Sequence, residues 1–187
     1  MILLIDNYDS FTFNVFELLN MFRRKVEVTR NIKSIKNIRD YKMICIGPGT
    51  GKPENYKVIK RTIKKNYKHI PIIGICLGHQ IIGNFFKLKI RKVKRIEHGL
   101  IRKIKLVRDY ISIGIPEEIS VIKYNSLSVQ ADKNVSDIKI VSMYNKEVMI
   151  MRHKIYPILG LQFHPDSFVC RYGRKIIRNF VNKHEIF

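Results

Sequence analysis

Alanine, tryptophan and cysteine are scarce in this 187-residue chain, which contains one alanine, Ala131, and no tryptophan. Its three cysteines, Cys45, Cys76 and Cys170, are odd in number and far apart. This spacing argues against a disulfide framework, and without paired Cys or His ligands it also argues against a zinc site. One of the three thiols is therefore a candidate for chemical reactivity, and no metal site is expected.

Long apolar runs are also absent. No stretch approaches the roughly 20 apolar residues that a membrane-spanning helix needs. The opening run, residues 1–5, is followed at once by Asp6, and it lacks the basic flank and the cleavage pattern of a signal peptide. These absences predict a soluble protein of the cytoplasm that does not bind a membrane.

Acidic residues are few, because 15 Asp and Glu stand against 36 Lys and Arg, which gives a formal net charge of +21. Such an excess can mark a polyanionic partner, and residues 87–105 are the most basic candidate surface. Their basic residues largely alternate with apolar ones, and no aromatic side chains are interleaved for base stacking. The abundance of Ile, Lys and Asn fits an AT-rich coding sequence instead. We therefore prefer a solvated strand face and expect no physiological nucleic-acid partner.

The first half of the chain alternates short apolar runs with helical patterns. Residues 1–5, 43–46 and 70–75 are too short for helices, and each leads through a loop into a segment with helical spacing. Asp9 or Ser10 is expected to cap the first of these helices. The alternation indicates an α/β fold with a mostly parallel central sheet and helices on both faces. Functional loops then belong at the carboxyl ends of the strands.

The second half of the chain has a different pattern. From Phe86 onward, short stretches alternate basic and apolar residues, which is typical of strands with one wet face. They predict a smaller mixed or antiparallel β extension of the sheet, and residues 173–181 then return to helical spacing. With 45% hydrophobic residues and no convincing linker, residues 1–187 are expected to form a single domain.

The sequence Gly74-x-Cys76-x-Gly78 directly follows an apolar run and opens a helical segment. This is the layout of a nucleophile elbow, with cysteine where hydrolases carry serine. The glycines allow a tight turn, and the N–H groups at the start of the next helix favour a thiolate. Cys76 is therefore the candidate nucleophile, whereas Cys45 and Cys170 lie among apolar residues and are expected to be packing residues.

A base for this cysteine is offered by His164, which is followed by Pro165 and Asp166. Proline biases the preceding residue toward an extended backbone, in which residues two apart point to the same side. Asp166 is thereby expected to contact the His164 ring, fix its tautomer and stabilise the imidazolium. His79 and His98 could touch the site, but structural or interface roles are expected for them. Surface or turn positions are expected for the remaining histidines: His69, His153 and His184.

These residues and three further stretches resemble the class I glutamine amidotransferases, and within them the glutaminase subunits of anthranilate synthase and aminodeoxychorismate synthase. The five stretches occur in family order: residues 6–14 (Asp-Asn-Tyr-Asp-Ser-Phe-Thr-Phe-Asn), 47–50 (Gly-Pro-Gly-Thr), 74–80 (Gly-Ile-Cys-Leu-Gly-His-Gln), 124–127 (Tyr-Asn-Ser-Leu) and 160–167 (Gly-Leu-Gln-Phe-His-Pro-Asp-Ser). Each alone is a weak to moderate signal, whereas five in register are specific.

The resemblance implies that Cys76 attacks the carboxamide of L-glutamine, that His164 and Asp166 complete a triad, and that water releases glutamate from a thioester after ammonia has left. It implies an oxyanion hole made by the backbone N–H groups of Gly47 and Leu77. It also implies that glutamine is held by Gly47, Pro48, Gly49, Gln80, Ser126 and Leu127. No cofactor is expected in this chain, whereas the implied partner, a chorismate-using synthase subunit, is expected to need Mg²⁺.

The chain departs from the family pattern at two of these positions. Asp166 stands where the family normally has Glu, so the carboxylate lies one methylene, about 1.5 Å, further back unless the backbone adjusts. We expect such an adjustment, because displaced reacting groups are costly, and we expect a restored Glu to overcrowd the site. Asn125 stands where His is frequent.

Several alternatives remain open at the level of sequence. Anthranilate formation is the expected use of the ammonia and aminodeoxychorismate formation is the alternative, since the acceptor chemistry belongs to the partner. A non-catalytic scaffold subunit is disfavoured by the retained Cys76 and His164. An amidase without a partner is disfavoured, because no second domain that could use the ammonia is evident and, within the family, another polypeptide must then use it. Residues 9–12 and the stretch near His98 are the expected docking surface.

Overall fold

The computed structural model describes residues 1–93, 99–132 and 134–187, which form four α-helices and eleven β-strands. The helices are α1 (Thr12–Asn20), α2 (Lys57–Asn66), α3 (Leu77–Phe85) and α4 (Gly173–Lys183). The strands are β1 (Ile2–Asn7), β2 (Val26–Thr29), β3 (Met43–Gly49), β4 (Ile72–Ile75), β5 (Lys89–Lys92), β6 (Leu100–Leu106), β7 (Glu118–Lys123), β8 (Leu127–Gln130), β9 (Ile138–Tyr144), β10 (Glu147–His153) and β11 (Ile158–Leu161).

Five of these strands form the parallel half of the sheet. They lie in the order β2-β1-β3-β4-β11, and each pairs in parallel with its neighbours. Every residue of β1, β4 and β11 is buried, which is why these strands read as continuous apolar runs rather than as alternating ones. The predicted parallel sheet is confirmed.

The remaining six strands are antiparallel. The sheet continues from β11 through β10, β9, β6 and β7, and β8 pairs with β10 and β5. In β6 the side chains of Ile104 and Leu106 are buried while Lys103 and Lys105 before and between them are exposed, as expected for a strand with one wet face. The predicted extension is confirmed, although it contains more strands than the parallel half.

Helices cover both faces of the sheet. On one face α1 and α4 contribute buried side chains such as Val15, Leu19 and Phe180 to a core with β1 and β11. On the other face α2 and α3 contribute Ile63 and Ile81 to a second core. Helices α1, α2 and α4 bury residues three or four apart, which gives each of them one apolar stripe toward the sheet, whereas α3 is buried throughout residues 77–83.

The predicted cap of the first helix is wrong. Helix α1 begins after Phe11, and no side chain caps it. Asp9 instead accepts a hydrogen bond from the Phe11 N–H at 2.9 Å. Asp6 organises the loop, because its carboxylate accepts hydrogen bonds from the Tyr8 N–H at 2.9 Å and the Thr12 hydroxyl at 2.7 Å. A loop folded around a buried carboxylate therefore replaces the expected cap.

The histidines are distributed differently from the expectation. His69 is exposed, as expected, but His153 is buried. Its Nδ1 accepts hydrogen bonds from the backbone N–H groups of Ile155 and Tyr156, both at 3.0 Å. It therefore closes the turn after β10 from inside the protein. His98 lies outside the described residues.

The first turn of α3 lies directly against β3 and β4. A Cβ atom added to Gly78 would overlap the carbonyl oxygen of Ile46, and one added to Gly74 would lie 2.5 Å from the Gly78 backbone. Backbone atoms in the middle of a packed sheet cannot move aside cheaply. The two glycines therefore allow the close approach of helix and sheet that follows β4.

We predict that Gly78→Ala lowers the free energy of unfolding by about 1–3 kcal/mol through overpacking. Gly83→Ala in the same helix is the matched control, because its Cβ would meet the Val129 methyl groups at 2.9 Å rather than a backbone atom. Urea unfolding of both variants measures the difference. Equal stabilities would show that the close approach to Ile46 does not constrain the helix.

Candidate active site

Three neighbouring parallel strands bring the candidate residues to one edge of the sheet. β4 lies between β3 and β11, with Gly74 in register with Ile46 on one side and with Gly160 on the other. Cys76 follows β4 directly, and His164 follows β11 after two residues. Because the carboxyl ends of parallel strands share one edge, the loops carrying Cys76 and His164 meet the end of β3.

Cys76 lies in a strained turn between β4 and α3. Its backbone has φ 52° and ψ −103°, a conformation that residues with a Cβ atom rarely adopt. Its N–H donates a hydrogen bond to the Leu161 carbonyl at 2.8 Å, and its carbonyl accepts one from the Gln80 N–H at 3.1 Å. The turn is therefore held from both sides, and this local strain is typical of a nucleophile elbow.

Exposure to solvent separates the three free cysteines. Cys76 is partly exposed, whereas Cys45 and Cys170 are buried. Burial raises the pKa of the Cys45 thiol far above its ordinary value, and burial raises the pKa of Cys170 to about 12. Buried neutral thiols are poor nucleophiles. Cys45 and Cys170 are thus packing residues, which confirms that expectation.

His164 is buried beside the Cys76 sulfur. Its ring lies 4.9 Å from the ring of Phe11 and 5.4 Å from that of Tyr124, centre to centre. Burial by itself would lower the pKa of His164, but contacts with Asp166 and with the Cys76 sulfur outweigh burial and raise it to about 10. The imidazole therefore holds its proton firmly between Asp166 and the Cys76 sulfur.

Asp166 faces His164 without a close hydrogen bond. The distance from His164 Nδ1 to Asp166 Oδ1 is 3.5 Å, and both side chains are buried. A good N–H···O bond spans about 2.7–3.2 Å. Neither carboxylate oxygen has a hydrogen-bond partner among the described residues. The two charges attract at this distance, but the shorter acid does not reach a good hydrogen bond with the ring, contrary to the expectation that an adjustment would bring it there.

The Gly47-Pro48-Gly49 segment lies against the residue that follows the nucleophile. A Cβ atom on Gly49 would lie 2.7 Å from Leu77 Cδ2 and 2.6 Å from Asn7 Cβ. Asn7 Nδ2 donates a hydrogen bond to the Gly47 carbonyl at 2.9 Å. The structure therefore places Gly49 of this segment against Leu77, and Asn7 holds the segment from the side of β1.

Gln80 lies one turn into α3 and joins the nucleophile to the second half of the sheet. Its Nε2 donates to the Leu127 carbonyl at 2.8 Å and to Gln162 Oε1 at 3.2 Å. Gln162 Nε2 lies 3.9 Å from the Cys76 sulfur. Ser126, the neighbour of Leu127, is exposed. Gln80, Ser126 and Leu127 are thus brought to the same region as Cys76.

Sequence reasoning assigned no role to Asn7 or Gln162. Both occur within the stretches that resemble the family, Asn7 in the second position of Asp-Asn-Tyr and Gln162 two residues before His164. Their place in those stretches was the available signal. Their contacts, however, join segments 40 and 86 positions apart, which no local pattern encodes.

A cavity of about 450 Å³ opens beside the histidine and its carboxylate. Its lining includes Phe11, Glu17, Tyr124, Asp166 and Phe168. It lies between α1 and the segment that leads to α4. The cavity gives space next to the Asp166 carboxylate and connects the His164 side of the site to the protein surface.

Metal-binding clusters and membrane-spanning helices are both missing from the described part of the chain. No three His, Cys, Asp or Glu side chains in that part are arranged to hold a metal ion. None of the helices formed by residues 1–93, 99–132 and 134–187 combines the length and apolarity needed to cross a bilayer.

We predict that iodoacetamide alkylates Cys76 and leaves Cys45 and Cys170 unmodified in the folded protein at pH 7, because only Cys76 is partly exposed. Replacing the neighbouring cation in His164→Asn should slow the alkylation by about tenfold. Peptide mass spectrometry against time measures both effects, and urea-unfolded protein, in which all three thiols react, is the control. Equal labelling of Cys45 or Cys170 in the folded state would contradict the assignment of Cys76.

Known proteins are similar to this chain along nearly its whole length. The sequence profile of the family described as glutamine amidotransferase class-I matches residues 3–184. Anthranilate synthase component 2 of Saccharolobus solfataricus is 39% identical over 97% of each chain. Aminodeoxychorismate/anthranilate synthase component 2 of Bacillus subtilis is 34% identical over 97% of this chain and 95% of that one.

A solved structure of a related protein resembles this chain in its fold. The crystal structure of a putative GMP synthase protein from Thermoplasma acidophilum superposes with a TM-score of 0.84. The match covers 99% of this chain and 96% of that one, at 25% sequence identity. With a family profile matched over nearly its full length and relatives above 30% identity, this chain belongs to the class I glutamine amidotransferases.

Proposed function

We propose that this protein is the glutaminase subunit of a chorismate-using synthase that makes anthranilate. The observation that carries the proposal is the meeting of Cys76, His164 and the Gly47-Pro48-Gly49 segment at one edge of the sheet. The relatives named anthranilate synthase component 2 support the choice of synthase. The reaction that uses the ammonia then takes place in a separate synthase subunit.

The reaction follows from the groups around Cys76. The sulfur attacks the side-chain carbonyl carbon of glutamine, and the carbonyl oxygen becomes an oxyanion facing the N–H groups of Gly47 and Leu77. His164 gives its proton to the departing nitrogen, so the C–N bond breaks, ammonia leaves and a γ-glutamyl thioester remains. Water then loses a proton to His164 and attacks the thioester, which releases glutamate and regenerates Cys76. Loss of one oxyanion donor costs roughly 3 kcal/mol in other enzymes.

The proposed glutamine site includes a side chain, that of Gln80, whose position is already fixed in the free protein. The Gln80 amide is held by the Leu127 carbonyl and by Gln162, so its orientation is set before the substrate arrives. A pre-positioned group loses little conformational entropy on binding. We therefore assign Gln80, Ser126 and Leu127, with Gly47, Pro48 and Gly49, to the glutamine site.

The partner is proposed to dock on the His164 side of the site. Phe168 lines the cavity there and is 92% exposed, and Tyr8 and Phe13 in and after the Asp6 loop are 73% and 66% exposed. An exposed apolar side chain at the rim of a cavity, as Phe168 is here, is typical of an interface. The proposed surface includes the loop of residues 9–12, whereas the other expected docking stretch, near His98, falls outside the described residues. The expected Mg²⁺ requirement belongs to the partner subunit.

A second candidate use of the ammonia is aminodeoxychorismate formation. It is favoured by the Bacillus subtilis relative, whose name combines both synthases. A nucleic-acid-binding role has less support, because in the described part of the basic segment Lys103 lies 3.0 Å from Glu118 and Lys89 lies 3.5 Å from Asp132. These lysines lie on solvated strands rather than in a groove where bases could stack on aromatic side chains.

We predict that, in the complex with the synthase subunit, Cys76→Ser abolishes glutamine-dependent synthesis and leaves ammonia-dependent synthesis intact. Oxygen is a far weaker nucleophile than a thiolate, whereas the acceptor chemistry takes place in the partner. Steady-state kinetics with each nitrogen source tests this, with Cys170→Ser as the matched control at a buried thiol. Full glutamine activity in Cys76→Ser would contradict the proposed function.

We predict that Asp166→Glu increases glutamine turnover by up to about tenfold, because the added methylene closes the 3.5 Å gap to His164. Asp166→Asn should decrease turnover at least about tenfold, since it favours the wrong His164 tautomer. It should also lower the pKa of His164 measured by NMR, because one of the contacts that raise this pKa is lost. Unchanged turnover in Asp166→Asn would reduce the triad to Cys76 and His164.

A further inference from the structure

A buried ion pair lies behind the loop that is assigned to glutamine binding. Lys123 Nζ and Glu147 Oε1 are 2.7 Å apart, and the Lys123 side chain is 2% exposed. Lys123 ends β7 and Glu147 begins β10. Desolvating two charges is costly, so a pair of this kind is weak evidence for stability and better evidence that a particular arrangement is being held.

Glu147 also holds the loop itself. Its second oxygen, Oε2, accepts a hydrogen bond from Asn125 Nδ2 at 3.2 Å, and the same amide nitrogen donates to the Leu127 carbonyl at 3.0 Å. Both partners are acceptors, so the donor end of the Asn125 amide must face them and its orientation is determined. Glu147 therefore fixes the side chain that closes the turn between β7 and β8.

The contacts continue from this turn to the nucleophile. The Leu127 carbonyl that accepts from Asn125 also accepts from Gln80 at 2.8 Å. Gln80 donates in turn to Gln162 at 3.2 Å, and Gln162 lies 3.9 Å from the Cys76 sulfur. A continuous series of buried and partly buried polar contacts thus connects the Glu147 carboxylate to the reacting atom.

We propose that Glu147 is a positioning residue for glutamine binding, acting through Asn125 on the Leu127 carbonyl and the orientation of Gln80. The inference rests on the proposed function, since glutamine is the ligand whose site is positioned. A charged acceptor holds the Asn125 amide more firmly than a neutral one, and a mispositioned loop weakens binding before it affects the chemistry. The effect therefore belongs to substrate affinity rather than to the reactivity of Cys76.

The test uses the full-length chain and two electrophiles that react with Cys76. A chloroketone analogue of glutamine reports binding and reaction, whereas iodoacetamide reports only the reactivity of the sulfur. In Glu147→Gln and in Asn125→Ala we expect the half-saturating concentration of the chloroketone to rise about tenfold, as expected for a lost hydrogen bond to a charged group. The iodoacetamide rate should stay within about twofold of the wild type.

A double variant tests whether Glu147 acts through Asn125. If it does, Glu147→Gln combined with Asn125→Ala should raise the half-saturating concentration no further than either single variant. Independent effects would multiply instead, to about a hundredfold. A multiplied effect would overturn the proposed route through Asn125.

Asp109 provides the matched control at another buried carboxylate. Its side chain is 1% exposed and pairs with Arg152 at 3.0 Å and with Lys139 at 2.6 Å. Neither of these basic partners belongs to the series of contacts that runs from Glu147 to Gln80. Asp109→Asn should therefore destabilise the fold in urea without changing chloroketone binding. If it raised the half-saturating concentration as much as Glu147→Gln, the effect would be general destabilisation and the proposal would be overturned.

The remaining outcomes separate this inference from the proposed function. Wild-type protein that is not labelled saturably by the chloroketone would contradict the proposed function, and with it any role in positioning glutamine. Saturable wild-type labelling with unchanged half-saturation in Glu147→Gln would overturn the inference alone. If Glu147→Gln does not fold, Asn125→Ala decides the question with the same two electrophiles.

Discussion

The close contact between the first turn of α3 and the end of β3 is the constraint on which the site depends. It is possible only because Gly78 presents no side chain to the Ile46 carbonyl. The same turn holds Cys76 at φ 52° and sets Leu77 against Gly49. The packing of α3 against the end of β3 therefore positions both the nucleophile and the residue that carries a proposed oxyanion donor.

Helix α3 also joins the two halves of the sheet. It begins at the nucleophile beside the parallel strands, and one turn later Gln80 reaches the Leu127 carbonyl at the start of antiparallel β8. The parallel half thus supplies the reacting groups and the antiparallel half supplies the proposed glutamine loop. A small rotation of α3 would move both together, so attack geometry and substrate seating are mechanically linked.

The excess of positive charge is reflected in how buried acids are paired. Asp6 contacts Arg30 at 2.8 Å, Asp109 contacts Arg152 at 3.0 Å and Glu147 contacts Lys123 at 2.7 Å. Asp166 differs, because its described ion-pair partner is His164 at 3.5 Å. A carboxylate next to a histidine can shift the pKa of the histidine ring. A lysine or arginine stays charged at neutral pH, so pairing it with a carboxylate changes no protonation state there. The three acids named first are thus each paired with a lysine or arginine, whereas the candidate catalytic acid is paired with a histidine.

The sequence by itself determined the strand and helix alternation, the Gly-x-Cys-x-Gly elbow and the His-Pro-Asp segment, because these depend on periodicity and on sterics between near neighbours. Tertiary structure decided the rest. The Asp6 loop took the place of the expected helix cap, His153 became buried, and Asn7, Gln162 and Glu147 acquired their contacts across 22 to 86 positions of chain. It also left Asp166 3.5 Å from His164. Distances of this kind follow from how strands and helices pack, and no local pattern encodes them.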